Sequence, residues 1–297
     1  MLFGWPKVCG ILELVVAGIL FANGAWAAGR PGSQAAETSV SAQELMREVV
    51  QNELGGPVEP PTYWCFREVE ITNGVPKTYE VYQTKGGTVR KLVTVNGQPL
   101  AAAQAERQKG RLDRLLHHSA NARSAAKAHN HDVNREEKLF RMLPHAFLFR
   151  YDGREGNLVK LAFQPNPQFV PPDREAQVFH HMAGFVLIDP EQKRLAEING
   201  RLTSEVKFFW GLLGHLDKGG TFHVWRADEG GGNWKLVRLE VNMQGEALFF
   251  ETIGIQENKR YLDYHQDPAS MTLADAVEQL IQNQQMDTGG ARTARKR

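Results

Sequence analysis

"TYWCFREVEITNGVPKTYEVYQTKGGTVRKLVTVNG", residues 62–97, holds three short runs rich in Val, Ile, Thr and aromatics, separated by Asn73-Gly74 and Gly86-Gly87 and closed by Asn96-Gly97. A two-residue hairpin turn needs positive φ at both central positions, which Asn and Gly tolerate, so Asn-Gly between such runs predicts tightly linked antiparallel strands. The segment therefore predicts a three-stranded meander. Downstream of Pro144 the same style resumes in "AFLFRYDG", "NLVKLAFQ", "GFVLIDP", "RLAEINGRLTSEVKFFW", "GTFHVWRAD", "NWKLVRLEVNM", "EALFFETIGI" and "KRYLDYH". In one of these Val237, Leu239, Val241 and Met243 alternate with Arg238, Glu240 and Asn242, the mark of a strand with one dry and one wet face.

Helices flank and interrupt the strands. Ser41 three residues before Glu44 forms a capping box ahead of Leu45, Met46, Val49, Val50 and Leu54 at helical spacing. Gly55-Gly56-Pro57 ends that helix. Ala101 to Arg141 carries nine Lys/Arg against five Asp/Glu, and the apolar contacts Leu112, Leu115, Leu116, Leu139, Phe140 and Leu143 of this insertion predict two helices broken around Asn121 to Asn130. Near the end, Thr272 and Asp275 cap a helix whose stripe is Leu273, Val277, Leu280 and Ile281. No crossover helices separate the strands, so the predicted class is α+β, with one strongly curved antiparallel sheet covered by amphipathic helices.

The N-terminus reads as an export signal, residues 1–27: Lys7, the apolar stretch Ile11 to Ala22 interrupted by Glu13, then Ala25-Trp26-Ala27 as a small-x-small cleavage site. No small-residue box precedes Cys9, which argues against a lipid-modified terminus. Residues 28–40 read as a disordered tether, 41–286 as a single domain with the helical insertion at about 101–143, and 287–297 as a disordered basic tail. Cleavage leaves about 270 residues, enough for one large β-rich core. Cys65 alone among the two cysteines then remains, which excludes an intramolecular disulfide. A formal charge of +1 gives no reason to expect nucleic acid as a partner.

Residues 163–265 carry Gly184-Phe185-Val186-Leu187-Ile188-Asp189, Arg194-Leu195, Ile198-Asn199-Gly200, Trp210-Gly211, Lys218-Gly219-Gly220 and Trp234. This stretch resembles a group of exported bacterial proteins of unassigned function. That group is itself similar to the periplasmic lipoprotein-carrier (Lol-type, lipoprotein-sorting-like) superfamily. The resemblance spans about Gln164 to Gln266, more loosely Thr62 to Asn96, and leaves the helical insertion without a counterpart. It implies an incomplete β-barrel wrapped over helices, with an apolar cavity between. The polar lid latch of the carriers finds no matching arginine here, so no family site residue transfers.

"EVKFFWGLLGHLDKGGTFHVW", residues 205–225, fits that picture as a strand apolar on both faces, with Gly211 and Gly214 allowing a bend. Phe208, Trp210, Leu212, Phe222, Val224 and Phe249 are the candidate ligand-lining residues; the same side chains would equally fill a solid core. Arg107, Lys109, Arg111 and Arg114 in the insertion are candidates for membrane-surface or partner contact. The histidines of His117-His118, His129 and His131, and His180-His181 lack the spacing of a zinc site, and there is no G-x-S-x-G or P-loop. Asp173, Asp189 and Glu191 read as turn residues. The expectation is thus a periplasmic, soluble, non-enzymatic carrier or binder of an acyl chain or other apolar ligand, without metal or cofactor. The alternative is a protein-interaction or envelope-sensing module on the same scaffold.

Overall fold

The computed structural model describes residues 40–55, 63–117, 137–173, 175–208, 214–247, 251–267 and 271–282. The expected signal, tether, helix break and tail lie outside these residues, apart from Val40. The fold is α+β. Among the described residues thirteen strands form one antiparallel sheet: eleven follow the order β4-β3-β2-β1-β13-β12-β11-β8-β7-β6-β5, and β10 pairs with β12 and β9 with β10. The ends of that path, β4 and β5, do not pair with each other, so the sheet is not closed into a barrel. The chain divides into two compact units, Met1–Val58 with Asp132–Asn258 and Glu59–His131 with Lys259–Arg297.

The second unit is the meander with its helices. Strands β1 (Tyr63–Thr72), β2 (Val75–Thr84), β3 (Gly87–Val95) and the short β4 (Gln98–Pro99) follow one another, and β1 also pairs with the later part of β13 (Glu251–Asp267). Asn73 and Gly74 take φ of 51° and 76°, Asn96 and Gly97 52° and 71°, as a primed hairpin turn requires. Two helices pack on β3: α2 (Ala102–His117) through Leu112, and the C-terminal α4 (residues 273–282) through Val277 and Leu280, all against Val89. Thr272 and Asp275 exchange hydrogen bonds at the start of α4, as their spacing predicts. Lys91 is buried and donates to the Leu280 carbonyl at the other end, where a helix terminus attracts cations.

The first unit holds α1 (Ala42–Glu53), α3 (residues 137–146), β5 (Phe147–Glu155), β6 (Leu158–Pro165), a 3-10 turn (Glu175–His181), β7 (Met182–Asp189), β8 (Arg194–Leu202), the short β9 (Val206–Phe208) and β10 (Gly214–Leu216), β11 (Thr221–Asp228), β12 (Trp234–Ala247) and the start of β13. Ser41 caps α1, its hydroxyl accepting from Glu44 N–H at 3.1 Å. Helix α1 buries Leu45, Met46, Val49 and Val50 against β5 and β8. The Gln43 side chain accepts from Phe149 N–H and donates to the Phe147 carbonyl, both at 3.1 Å. It thereby fills part of the hydrogen-bonding edge that β5 presents as the last strand of the path.

Of the two helices expected in the insertion, α2 belongs to the second unit and α3 to the first. One expectation changes here. The run from Arg194 through Phe208 is not one strand, because Thr203 N–H turns away to the His181 carbonyl (2.7 Å) and Leu202 N–H bonds Gly220 (2.8 Å). Residues 205–225 become β9, β10 and β11, with 209–213 outside the described residues.

Gly184 and Gly200 are cross-strand partners. A methyl group on Gly184 would stand 1.9 Å from the Asn199 carbonyl oxygen; one on Gly200 would stand 2.2 Å from the Phe222 ring. Overpacking of this kind costs about 1–3 kcal/mol, and a ring can turn aside where a backbone cannot. Gly200→Ala should therefore lower the urea midpoint less than Gly184→Ala, and Phe222→Leu should rescue Gly200→Ala alone.

Candidate functional site

The interior of the first unit contains a cavity of about 30 Å³ walled only by apolar side chains. Helix α1 contributes Met46 and α3 Leu143; β5 and β6 contribute Phe147, Phe149 and Phe163. Phe179 comes from the 3-10 turn, with Met182 and Val186 from β7, Ile198 from β8 and Phe222 from β11. Phe147 is the hub, its ring edge-on to Phe163, Phe179 and Phe149 at 4.8, 5.4 and 6.3 Å between centroids. Such edge-to-face pairs are worth about 0.5–1.5 kcal/mol beyond the area they bury. Water needs roughly 10–15 Å³ and polar partners; the space suffices, but its apolar lining offers a water no hydrogen-bond partner.

Of the candidate lining residues, Phe222 meets the cavity and Val224 is fully buried on the same strand. Phe208 ends β9, and its side chain is outside what is described, as are Trp210, Leu212 and Phe249 altogether. Sequence reasoning missed the phenylalanines of β5, β6 and the 3-10 turn, which sit in separate short runs. In the second unit Arg107, Arg111 and Arg114 are exposed on α2, and Lys109 is half-buried. Arg107, Arg111 and Arg114, at i, i+4 and i+7, share one helix face, although Arg111 also donates to the Arg90 carbonyl. Partial desolvation of its guanidinium, which lies against the strand, and then the neighbouring Arg90 charge hold the Arg111 pKa below its usual value.

The opposite face of β8 and β11 is polar and aromatic. His223 Nε2 lies 2.5 Å from Glu197 Oε1, and the Asn199 amide approaches Nδ1 at 3.2 Å. A neutral ring protonated at Nε2 satisfies both contacts. The imidazole stacks on Trp225 with 3.3 Å between centroids, and Arg238 from β12 lies 4.7 Å from the same indole. Among the described residues no group of three or more His, Cys, Asp or Glu could hold a metal ion. His181 Nδ1 meets Ser204 Oγ at 2.7 Å, and burial lowers its pKa.

A second feature of the first unit had no place in the sequence reading. Glu53, at the last position of α1, is only 2% exposed. Its Oε1 accepts from Arg226 Nη1 at 2.6 Å and from Leu195 N–H at 2.9 Å, and its Oε2 accepts from Arg194 Nη1 at 3.1 Å. Arg194 also donates to the Asn52 carbonyl (3.0 Å), and Arg226 to the carbonyls of Leu195 (3.3 Å) and Trp234 (3.0 Å). Lys235 is 6% exposed; burial, then Arg226 and Arg194, push its pKa down to about 7. The signal was present: Glu53 occupies a position of the α1 apolar stripe, three after Val50 and four after Val49.

No protein-family model, curated protein or solved structure matches the chain. No helix among the described residues is long and apolar enough to cross a membrane.

Removing one partner of a buried ion pair leaves an uncompensated charge, at a cost of about 3–5 kcal/mol. Glu53→Gln should destabilise the protein by that order in chemical denaturation, far more than Glu44→Gln at the exposed pair with Arg47. Between about pH 7 and 10.5 the unfolded chain holds a proton on Lys235 that the folded chain releases. Stability should therefore rise with pH through that window and level off below it, and Lys235→Met should flatten the slope.

Proposed function

We propose that the protein is an exported, non-enzymatic binder or carrier of an acyl chain or similar apolar ligand, with the first unit as its binding body. The observation that carries this is the wholly apolar cavity lined by α1, α3, the 3-10 turn and five strands. On this reading the sheet acts as an incomplete barrel with helices as its cover, as the resemblance to the lipoprotein-carrier superfamily implies. The carrier works in the periplasm and is directed at lipoproteins or their acyl chains. Exposed Arg107, Arg111 and Arg114 give α2 a face suited to transient contact with anionic headgroups.

The space is small, about 30 Å³. Small-molecule pockets enclose about 300–1,000 Å³, so a ligand enters only as the phenylalanine rings turn aside. Each methylene it buries returns about 0.8 kcal/mol. A second reading, an interaction or sensing module with no transported ligand, is favoured by the same small volume. On that reading the partner meets the Glu197, His223 and Trp225 face, which is half-exposed.

Native mass spectrometry of the protein taken from the cell envelope, with titration of a fluorescent fatty acid, tests the two. A carrier shows a lipid adduct and probe binding, lost in Ile198→Phe, which fills the cavity, and strengthened in Phe179→Ala, which enlarges it. Absence of adduct and probe binding in all three proteins would end the carrier reading. Loss of a co-purified protein on Trp225→Ala would then support the second.

A further inference from the structure

Among the described residues that line the apolar cavity, all are buried except Leu143 of α3 and Phe149 of β5, which are half-buried. These two stand at the same end of it. The Gln43 side chain donates to the carbonyls of Pro144, next to Leu143, and of Phe147, and it accepts from Phe149 N–H, so it holds the end of α3 beside β5 there. Along β5, Phe147, Phe149 and Tyr151 share one face, and their exposure rises from 3% through half-buried to 49%. The Tyr151 hydroxyl donates to the Val40 carbonyl at 2.7 Å, which fixes the outermost ring beside the start of α1. A line of aromatic rings thus leads from the Phe147 hub to water.

We infer that the cavity takes the methyl end of one unbranched acyl chain, which enters past Phe149 and leaves its carboxyl, ester or amide head in water beside Tyr151. This rests on the carrier reading and adds to it the direction of entry and the class of ligand. The lining side chains offer neither charge nor hydrogen bond, and a polar head buried without a partner is costly, so the tail goes in and the head stays out. Phe149 is the ring that yields: its centroid lies 6.3 and 6.2 Å from those of Phe147 and Phe163, which are 4.8 Å from each other. A chain one carbon wide displaces such rings one after another. A branched or cyclic tail must displace several at once against close-packed neighbours. Because the site reads the tail, a free fatty acid and the acyl group of a lipoprotein present the same chemistry to it.

The test is titration of the full chain with straight-chain fatty acids of increasing length. Kd should fall about fourfold per added methylene until the space is filled. The methyl ester and an N-acylated peptide of the same chain should bind within about fivefold of the acid, whereas a hydroxyl on the terminal carbon should weaken binding roughly tenfold or more, because it is buried without a partner. These arms use the wild type and need no variant to fold; the peptide arm separates a lipoprotein source from a free acid. In stopped flow, Phe149→Ala should speed association and dissociation together, by about fivefold or more, since entry no longer waits for a ring to turn. Leu148→Ala, at an exposed residue on the other face of the same strand, should leave both rates unchanged. An ester or acylated peptide that binds far more weakly than the acid, a terminal hydroxyl without effect, or exchange rates unchanged in Phe149→Ala would each overturn the inference and leave a carrier of another kind. No binding of any of these ligands would end both.

Discussion

The Glu53 carboxylate ties the last turn of α1 to β8 and β11 through two guanidinium groups and one backbone N–H. Because all of these groups are out of water, each depends on the others: the arginines are tolerable only with the carboxylate, and the carboxylate only with the arginines. The same helix presents Met46 to the cavity four residues after Ala42 and, through Gln43, holds the edge of β5. The apolar interior of the first unit is thus covered by a helix fixed at both ends by polar contacts, with a hydrophobic stripe between them.

Sheet geometry explains how one unit carries two unlike surfaces. Alternation along β8 and β11 sends Ile198, Phe222 and Val224 inward and Glu197, Asn199 and His223 outward. The inner side packs by edge-to-face rings around Phe147 and leaves little free space. On the outer side, charge is held in place by hydrogen bonds and by stacking on Trp225. Gly184 and Gly200 sit where backbone and ring approach too closely for any side chain, which links the register of β7 and β8 to the placement of Phe222.

Much of the local structure was legible from the residues. Asn73-Gly74 and Asn96-Gly97 specify their turns because a backbone with positive φ excludes most other pairs. Ser41 and the Thr272 and Asp275 pair specify helix starts because their side chains satisfy N–H groups that no carbonyl can reach. The candidate site was legible only in part. Phe222 was found because it lies in an unusually apolar run, whereas Phe147, Phe163 and Phe179 are ordinary members of three separate segments. The run at 205–225 misled because continuous apolar character marks burial, not continuity of a strand.

By itself the sequence determined the class of the fold, the antiparallel pairing of neighbouring strands, and the caps and stripes of its helices, since these depend on residues close together along the chain. Only the tertiary structure decided which distant segments share the interior, that the insertion divides between two units, and that one carboxylate meets two arginines 141 and 173 positions away. Those contacts are set by how a helix lies on a sheet, and hydrophobic burial, which drives that docking, is non-directional. Local pattern shows that Glu53 lies on a buried stripe; the partner it finds there is a property of the packed molecule.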